Sequence, residues 1–326
     1  MVGIDSTPYS THFASSCPLL GPRVKATAIC YNRGFVLRET VGALSVKRFE
    51  TVAIIGVGLI GGSIGLALRK LGLAERVVGI GRRQTSLRTA RRVGAVTNTT
   101  IDPAKGVAEA DLVVVCSPVG RIVEHVRTAA EHCPAETLIT DTGGTKQSIV
   151  EALDDGLPRG CRFLGGHPLA GSEKMGPSHA RADLFDGRVA ILTPTRNTRP
   201  TDYDLLDQFW SDLGSVVVQM PADEHDRTLA VTSQLPHAVA VALAGTLPEN
   251  YFRFSGTGFQ DTARLAAGSP ELWAQIFSLN RANVLAALGL FEEQLAALRT
   301  AIQENDRSAL ENILKKAKKN RDALGN

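Results

Sequence analysis

From Thr51 onward, short runs of consecutive apolar, mostly β-branched residues recur along the chain: Val52–Ile55 (VAII), Arg76–Ile80 (RVVGI), Asp111–Cys116 (DLVVVC), Thr137–Asp141 (TLITD) and Arg162–Gly166 (RFLGG). Stretches compatible with helix separate them. Runs that are apolar at successive rather than alternate positions suit strands buried on both faces of a parallel sheet, with helices as crossovers. The pattern therefore predicts an α/β fold with a doubly wound parallel sheet. Arg188–Thr195 and Ser215–Met220 extend that sheet to a boundary near Pro221. Beyond Pro221 the strand signals vanish, and Leu288, Phe291, Leu295, Leu298 and Ile302 follow one another at spacings of three and four, the mark of an amphipathic helix. An all-α C-terminal domain is expected. Its apolar stripes either fill an internal core or pair two copies of the chain, and a homodimer is expected on the second reading.

The first 46 residues lack a sustained period of two or 3.6 and read as a poorly ordered tail or extension. Arg23, Lys25, Arg33 and Arg38, with few acids among them, also fit an organelle transit peptide. The division expected is thus 1–46, a dinucleotide-binding domain over 47–221, and a helical substrate and dimerisation domain over 222–326. A length of 326 residues accommodates two domains with their own cores. With 44% hydrophobic and 21% charged residues, the composition is that of a soluble globular protein. A net charge of +3 with 5% aromatics argues against nucleic acid as a partner. Five widely spaced cysteines without a CxxC pair argue against a disulfide framework or a zinc site. No run of 18 apolar residues and no secretory signal is present, so no membrane partner is expected and cytoplasm is the default compartment.

The candidate chemistry starts at the first run, which leads into Gly56-Val-Gly-Leu-Ile-Gly61. In such a turn Gly56 permits the tight bend, Gly58 lets backbone N–H groups approach a pyrophosphate, and Gly61 lets helix and strand pack closely. GxGxxG alone is weak. Here it follows an apolar strand, opens a helix at Gly61, and precedes another strand at βαβ distance, which makes the sheet Rossmann-type and the ligand a nicotinamide dinucleotide, with Leu59 and Ile60 of the turn among its contacts. At the end of the second run an acid would bind the ribose 2′-OH of NAD. The chain has Gly81 there, followed by Arg82 and Arg83, which favours NADP over NAD, although the two arginines also fit a solvated helix start that stacks on adenine. Ser117, Pro118 and Asp141 fall just after strands, where open α/β sheets place their ligands. Cys116 reads as a small hydrophobe.

Several segments together resemble the prephenate and arogenate dehydrogenase family of tyrosine biosynthesis: VAIIGVGLIGGSIGLALR (Val52–Arg69), DLVVVCSPV (Asp111–Val119), DTGGTK (Asp141–Lys146), GGHPLAGSEKMG (Gly165–Gly176), TSQLPHAVAVAL (Thr232–Leu243) and FQDTARLAAGSPELWAQIFSLN (Phe259–Asn280). The resemblance implies oxidative decarboxylation of a cyclohexadienol, with hydride passing to the nicotinamide and the ring carboxylate leaving as carbon dioxide. It implies His167, in the loop after the Arg162–Gly166 strand, as the base that takes the hydroxyl proton; otherwise His167 is a hydrogen-bonded loop histidine. It implies Arg264 as the anchor for a substrate carboxylate, the competing reading being a surface ion pair with Asp261. Glu173 matches a position that gates the site, and Ser233 and His237 match a helix lining the substrate pocket, although His237 also suits a buried structural role. The chain departs from the family at two places. Gly144 stands where the family often has a serine that bonds the histidine, leaving Thr142 or Thr145 to supply a hydroxyl. Gln234 stands where a histidine is frequent, and its amide keeps donor and acceptor capacity without charge.

Two other readings share the glycine turn. A β-hydroxyacid dehydrogenase relative would use a lysine in the helical domain, and no lysine occurs between Lys174 and Lys315. A cofactor-binding regulatory protein without catalysis is the other, since fold does not fix function.

Overall fold

The eight strands observed are β1 (Phe49–Ile55), β2 (Ala74–Ile80), β3 (Asn98–Thr100), β4 (Leu112–Val115), β5 (Leu138–Asp141), β6 (Arg162–Pro168), β7 (Val189–Thr193) and β8 (Val216–Gln219). The structure is a computed structural model that describes residues 49–171 and 174–325. The expected tail at 1–46 and Glu173 lie outside the described residues. All seven apolar runs read from the sequence become strands, each within three residues of its expected ends. Only β3, three polar residues at the sheet edge, carries no hydrophobic signal.

The strands form one sheet in the order β3-β2-β1-β4-β5-β6-β7-β8. Helices α1 (Leu59–Leu71), α2 (Gln84–Arg92), α3 (Pro103–Val107), α4 (Ile122–His132), α5 (Gln147–Leu153) and α6 (Pro200–Asp212) lie among them in sequence. Alternation along β1 separates two cores. Val52 and Ile54 face Ile64 and Leu68 of α1 and Phe209 and Trp210 of α6, whereas Ala53 and Ile55 face Val113 and Val115 together with Ile122, Val126 and Ile149 of α4 and α5. Both faces of β1 are therefore covered, which is why its residues are apolar at successive positions.

The sheet departs from the expected all-parallel arrangement at one place. Strand β7 runs antiparallel to β6, with His167 opposite Ile191, and β8 is parallel to β7. Among the described residues, the connection from β6 to β7 contains only a short 3-10 turn at Pro177–His179 as helix. Without a crossover helix to carry the chain back to the starting end, it returns in the opposite direction. Helix α6 supplies that crossover between β7 and β8.

After β8 the chain is helical: α7 (Ala222–Leu229), a π-helical turn over Ala230–Gln234, α8 (Leu235–Gly245), α9 (Thr257–Ala263), α10 (Pro270–Leu279), α11 (Arg281–Gln303) and α12 (Arg307–Ala323). These helices join the sheet domain through specific bonds. Asp226 on α7 accepts the backbone N–H groups of Lys146 and Gln147 at 2.8 and 3.0 Å, and Gln275 on α10 accepts that of Gly120 at 3.2 Å. On α11, Leu285, Leu290, Leu295 and Ile302 remain more than half exposed. Ala222–Gly245 is long and apolar enough to cross a membrane, the one such helix among the described residues. It buries His225, Asp226 and Gln234 in polar contacts within the fold.

Candidate active site

Sheet order reverses between β1 and β4, and ligands of open α/β sheets bind at the carboxyl ends of strands on either side of such a point. A cleft of about 1150 Å³ opens there. Gly56 follows β1 with φ of +98°, a conformation that favours glycine, and a Cβ at this position would meet the carbonyl oxygen of Cys116 at 2.6 Å. A Cβ on Gly61 would meet the carbonyl oxygen of Gly56 at 2.2 Å, so α1 packs on the turn only because position 61 is glycine. Gly58, the N-cap of α1, faces open space. The helix begins with no acidic residue in its first turn, leaving N–H groups and the positive end of its dipole toward the cleft. This is a cradle for a pyrophosphate.

The cleft is lined by Gly81, Arg82, Arg83, Ser86 and His125, and by Ser117, Pro118, Thr142 and His167. Ser117 Oγ and His125 Nδ1 are buried without a hydrogen-bond partner. Such atoms normally find one, and both lie on residues that line the cleft. The residues present thus fit a dinucleotide.

His167 is half-buried on β6, not in the loop after it as expected; the strand runs to Pro168 and holds the ring by its pairing with β7. Nδ1 of His167 lies 2.8 Å from Nε2 of His225, and Nδ1 of His225 lies 2.7 Å from Oδ1 of Asp226. Burial pushes the pKa of His167 well below the usual histidine value, with further contributions from His225 and Lys146. The pKa of His225 is also lowered, chiefly by burial and against the pull of Asp226. His167 is therefore a neutral imidazole at neutral pH and is able to accept a proton.

Other expected positions are distributed as follows. Ile60, Ser233 and Gln234 line the same cleft, with Ser233 and Gln234 on the π-helical turn; Gln234 is buried and accepts a hydrogen bond from Asn280 at 2.8 Å. Leu59 faces an adjoining depression beside Leu169 and Ala170. His237 is buried and stacked on Trp273, ring centroids 3.5 Å apart, and Trp273 is the ring that reaches the cleft.

Three expected residues do not line the cleft. Asp141 does not line the cleft: its side chain turns inward, where it pairs with Lys146 and accepts the N–H groups of Gly143 and Gly166 at 2.8 and 3.2 Å. Thr145 is fully buried and also absent from the lining, so of the two threonines only Thr142 is in place to offer a hydroxyl. Arg264 is exposed on a 3-10 turn outside the cleft, and among the described residues it pairs with neither Asp261 nor any other acid. The thiol of Cys116 is pushed up to about 12, mainly by burial, which keeps it an unreactive small hydrophobe.

Family models for the prephenate dehydrogenase nucleotide-binding domain and dimerization domain match residues 64–219 and 221–316. The chain is 35% identical over 283 residues to a cyclohexadienyl dehydrogenase of Zymomonas mobilis, covering 85% of this chain and 96% of that one. It is 34% identical over 285 residues to a prephenate dehydrogenase of Bacillus subtilis, covering 84% and 76%.

The chain belongs to the prephenate dehydrogenase family.

A solved structure of the Aquifex aeolicus prephenate dehydrogenase, in complex with hydroxyphenyl propionate and NAD+, superposes with a TM-score of 0.79 at 32% identity, covering 88% of this chain and all of that one. Membership makes this chain a nicotinamide-dependent dehydrogenase and sets aside the β-hydroxyacid and non-catalytic readings. The sequence reading missed His225, Asp226, Lys146 and Asn280. His225 lies 58 residues from His167 along the chain, and no motif spacing links them. The one available signal was a histidine beside an aspartate at the start of the helix that follows the sheet.

Proposed function

We propose that this member of the prephenate dehydrogenase family oxidatively decarboxylates prephenate or arogenate, with NADP preferred, as a cytoplasmic homodimer. The carrying observation is the neutral imidazole of His167 at the junction of the dinucleotide cradle and the wall formed by Ser233, Gln234 and Trp273.

The N–H groups around Gly58 and the start of α1 hold the pyrophosphate, and Arg82 and Arg83 supply guanidiniums for a 2′-phosphate where an NAD-specific site would carry an acid. The bound nicotinamide supplies the hydride acceptor. As hydride leaves the ring carbon that bears the hydroxyl, Nε2 of His167 takes the hydroxyl proton. The electrons of the bond to the ring carboxylate then flow into the ring, carbon dioxide departs, and His167 returns its proton to the developing phenolate. The product is 4-hydroxyphenylpyruvate from prephenate or tyrosine from arogenate. The half-exposed leucines of α11 offer a face for a second copy, in keeping with the dimerization domain matched there. For Arg264, the role of carboxylate anchor rests on the resemblance and not on cleft geometry. A raised substrate KM in Arg264→Ala at unchanged cofactor affinity is the expected result.

Initial rates of the purified protein on prephenate and arogenate, each with NADP and with NAD, test the proposal. No turnover of either substrate with either cofactor would sink it.

A further inference from the structure

The contact between His167 and His225 has one consistent hydrogen assignment. Asp226 accepts the backbone N–H groups of Lys146 and Gln147 on its two oxygens, so its carboxylate is an acceptor and the hydrogen in the 2.7 Å contact belongs to His225 Nδ1. In a neutral His225 that leaves Nε2 as a lone pair. The 2.8 Å contact then requires the hydrogen on Nδ1 of His167, and Nε2 of His167 is left bare. This bare nitrogen is turned toward Gly144 on the cleft lining; a Cβ built there would lie 3.9 Å from it. A protonated His225 would reverse the assignment and place a hydrogen on Nε2 of His167, disabling it as a base.

The pair is itself immobilised. The carbonyl of Asp226 accepts from Asn280 Nδ2 at 2.7 Å, and the same amide donates to Gln234 Oε1 at 2.8 Å, tying α7 to the π-helical turn and to the start of α11. His225, Asp226, Gln234 and Asn280 are all buried. A buried polar cluster with each member bonded is rigid, because any displacement leaves an unpaired group away from water.

We infer that His225, held by Asp226, is a positioning residue that fixes His167 in the tautomer with Nε2 free for the substrate hydroxyl and that bears part of the charge when His167 becomes cationic. This rests on the reading of His167 as the base. The proton it receives makes an imidazolium whose Nδ1–H donates to His225 Nε2, and Asp226 provides the compensating negative charge beyond it. A carboxylate behind a histidine orients the base of serine hydrolases in the same way; here a second imidazole is interposed.

The test uses the full chain labelled with 15N-histidine, with the His167 signal assigned by comparison with His167→Asn. In the wild type the long-range 15N–1H spectrum is expected to show His167 protonated on Nδ1. In His225→Leu that hydrogen is expected to move to Nε2, and kcat to fall about 100-fold while substrate KM and cofactor Kd stay within about twofold. His225→Gln, whose amide oxygen accepts from Nδ1 of His167, is expected to recover most of the lost kcat. Protonation of wild-type His167 on Nε2 would overturn the inference, as would an unchanged kcat in His225→Leu or a loss that falls equally on cofactor binding. Should His225→Leu not fold, the wild-type tautomer and His225→Gln still decide it. A wild type that turns over neither substrate defeats the functional reading and leaves the tautomer measured, so the two failures are distinguishable.

Discussion

Gly144 and His167 face each other at the floor of the cleft, and a side chain's first carbon at position 144 would fall 3.9 Å from Nε2 of the imidazole. Among the described residues outside its chain neighbours, the other atom within 4 Å would be Ile276 Cδ1 at 3.7 Å, an ordinary contact distance. Gly144→Ser is therefore expected to fold normally and to set a hydroxyl beside the base. A net hydrogen bond of about 0.5–1.5 kcal/mol corresponds to a kcat higher by about 2- to 10-fold, measured alongside a melting curve that should not shift. A lower kcat would show that the open space at Gly144 is itself used by the substrate.

Replacing the base should remove the chemistry and spare the cofactor. His167→Asn is expected to lower kcat by about 10²–10⁴ with Kd for NADP unchanged by fluorescence titration. Because the pKa of His167 is held well below the usual value, the wild-type rate should stay level from pH 8 down to about 6.5 and decline only in more acidic solution. A decline already complete at about pH 6.5 would contradict the burial of the ring.

Stability should follow the same groups. His167, His225 and His237 all have lowered pKa values, each chiefly through burial. Between the depressed folded-state values and the ordinary value of about 6.5, the unfolded chain binds more protons than the folded one. The stability they contribute is thus present above about pH 6.5 and lost as the pH falls below it. Tm measured by calorimetry from pH 8 to 5 should be level and then drop. A rise over the acidic part of that range would refute this account.

Cofactor choice is tested at Arg82 and Arg83. If both reach the 2′-phosphate, Arg82→Ala should raise Kd for NADP about 10- to 100-fold, as expected for a lost charged hydrogen bond, and leave Kd for NAD nearly unchanged. Equal losses for the two cofactors would mean that the guanidinium stacks on adenine instead.

Lys146 and Asp141 form an ion pair with both side chains fully enclosed. Lys146→Met removes one partner and strands the other charge, so chemical denaturation should show a loss of about 3–5 kcal/mol. A loss under about 1 kcal/mol would place the pair in the class of exposed bridges.

The sheet was legible in the sequence where both of its faces are buried. Successive apolar residues in β1, β4 and β5 follow directly from helices covering each side, whereas β3, made of Asn98, Thr99 and Thr100 at an edge, has nothing to bury and no signal. The direction of β7 was not legible, because the length of the connection at 169–188 does not reveal whether a helix forms within it. Within the site, the strand-end rule pointed to Ser117, Pro118 and Asp141 and could not tell which way each side chain turns. Ser117 and Pro118 line the cleft, while Asp141 is drawn inward by Lys146 and two backbone N–H groups.

The amino-acid sequence by itself determined the glycine turn, the helix it opens, the arginines after β2, the family and the histidine proposed as the base. Each depends on neighbouring residues whose backbone conformation or motif spacing is written locally. Tertiary structure alone decided what stands behind His167. The tautomer of that ring depends on His225 and Asp226, brought to it from another domain by the packing of α7 against α5, and hydrogen bonds between residues so far apart in the chain leave no period or spacing to read.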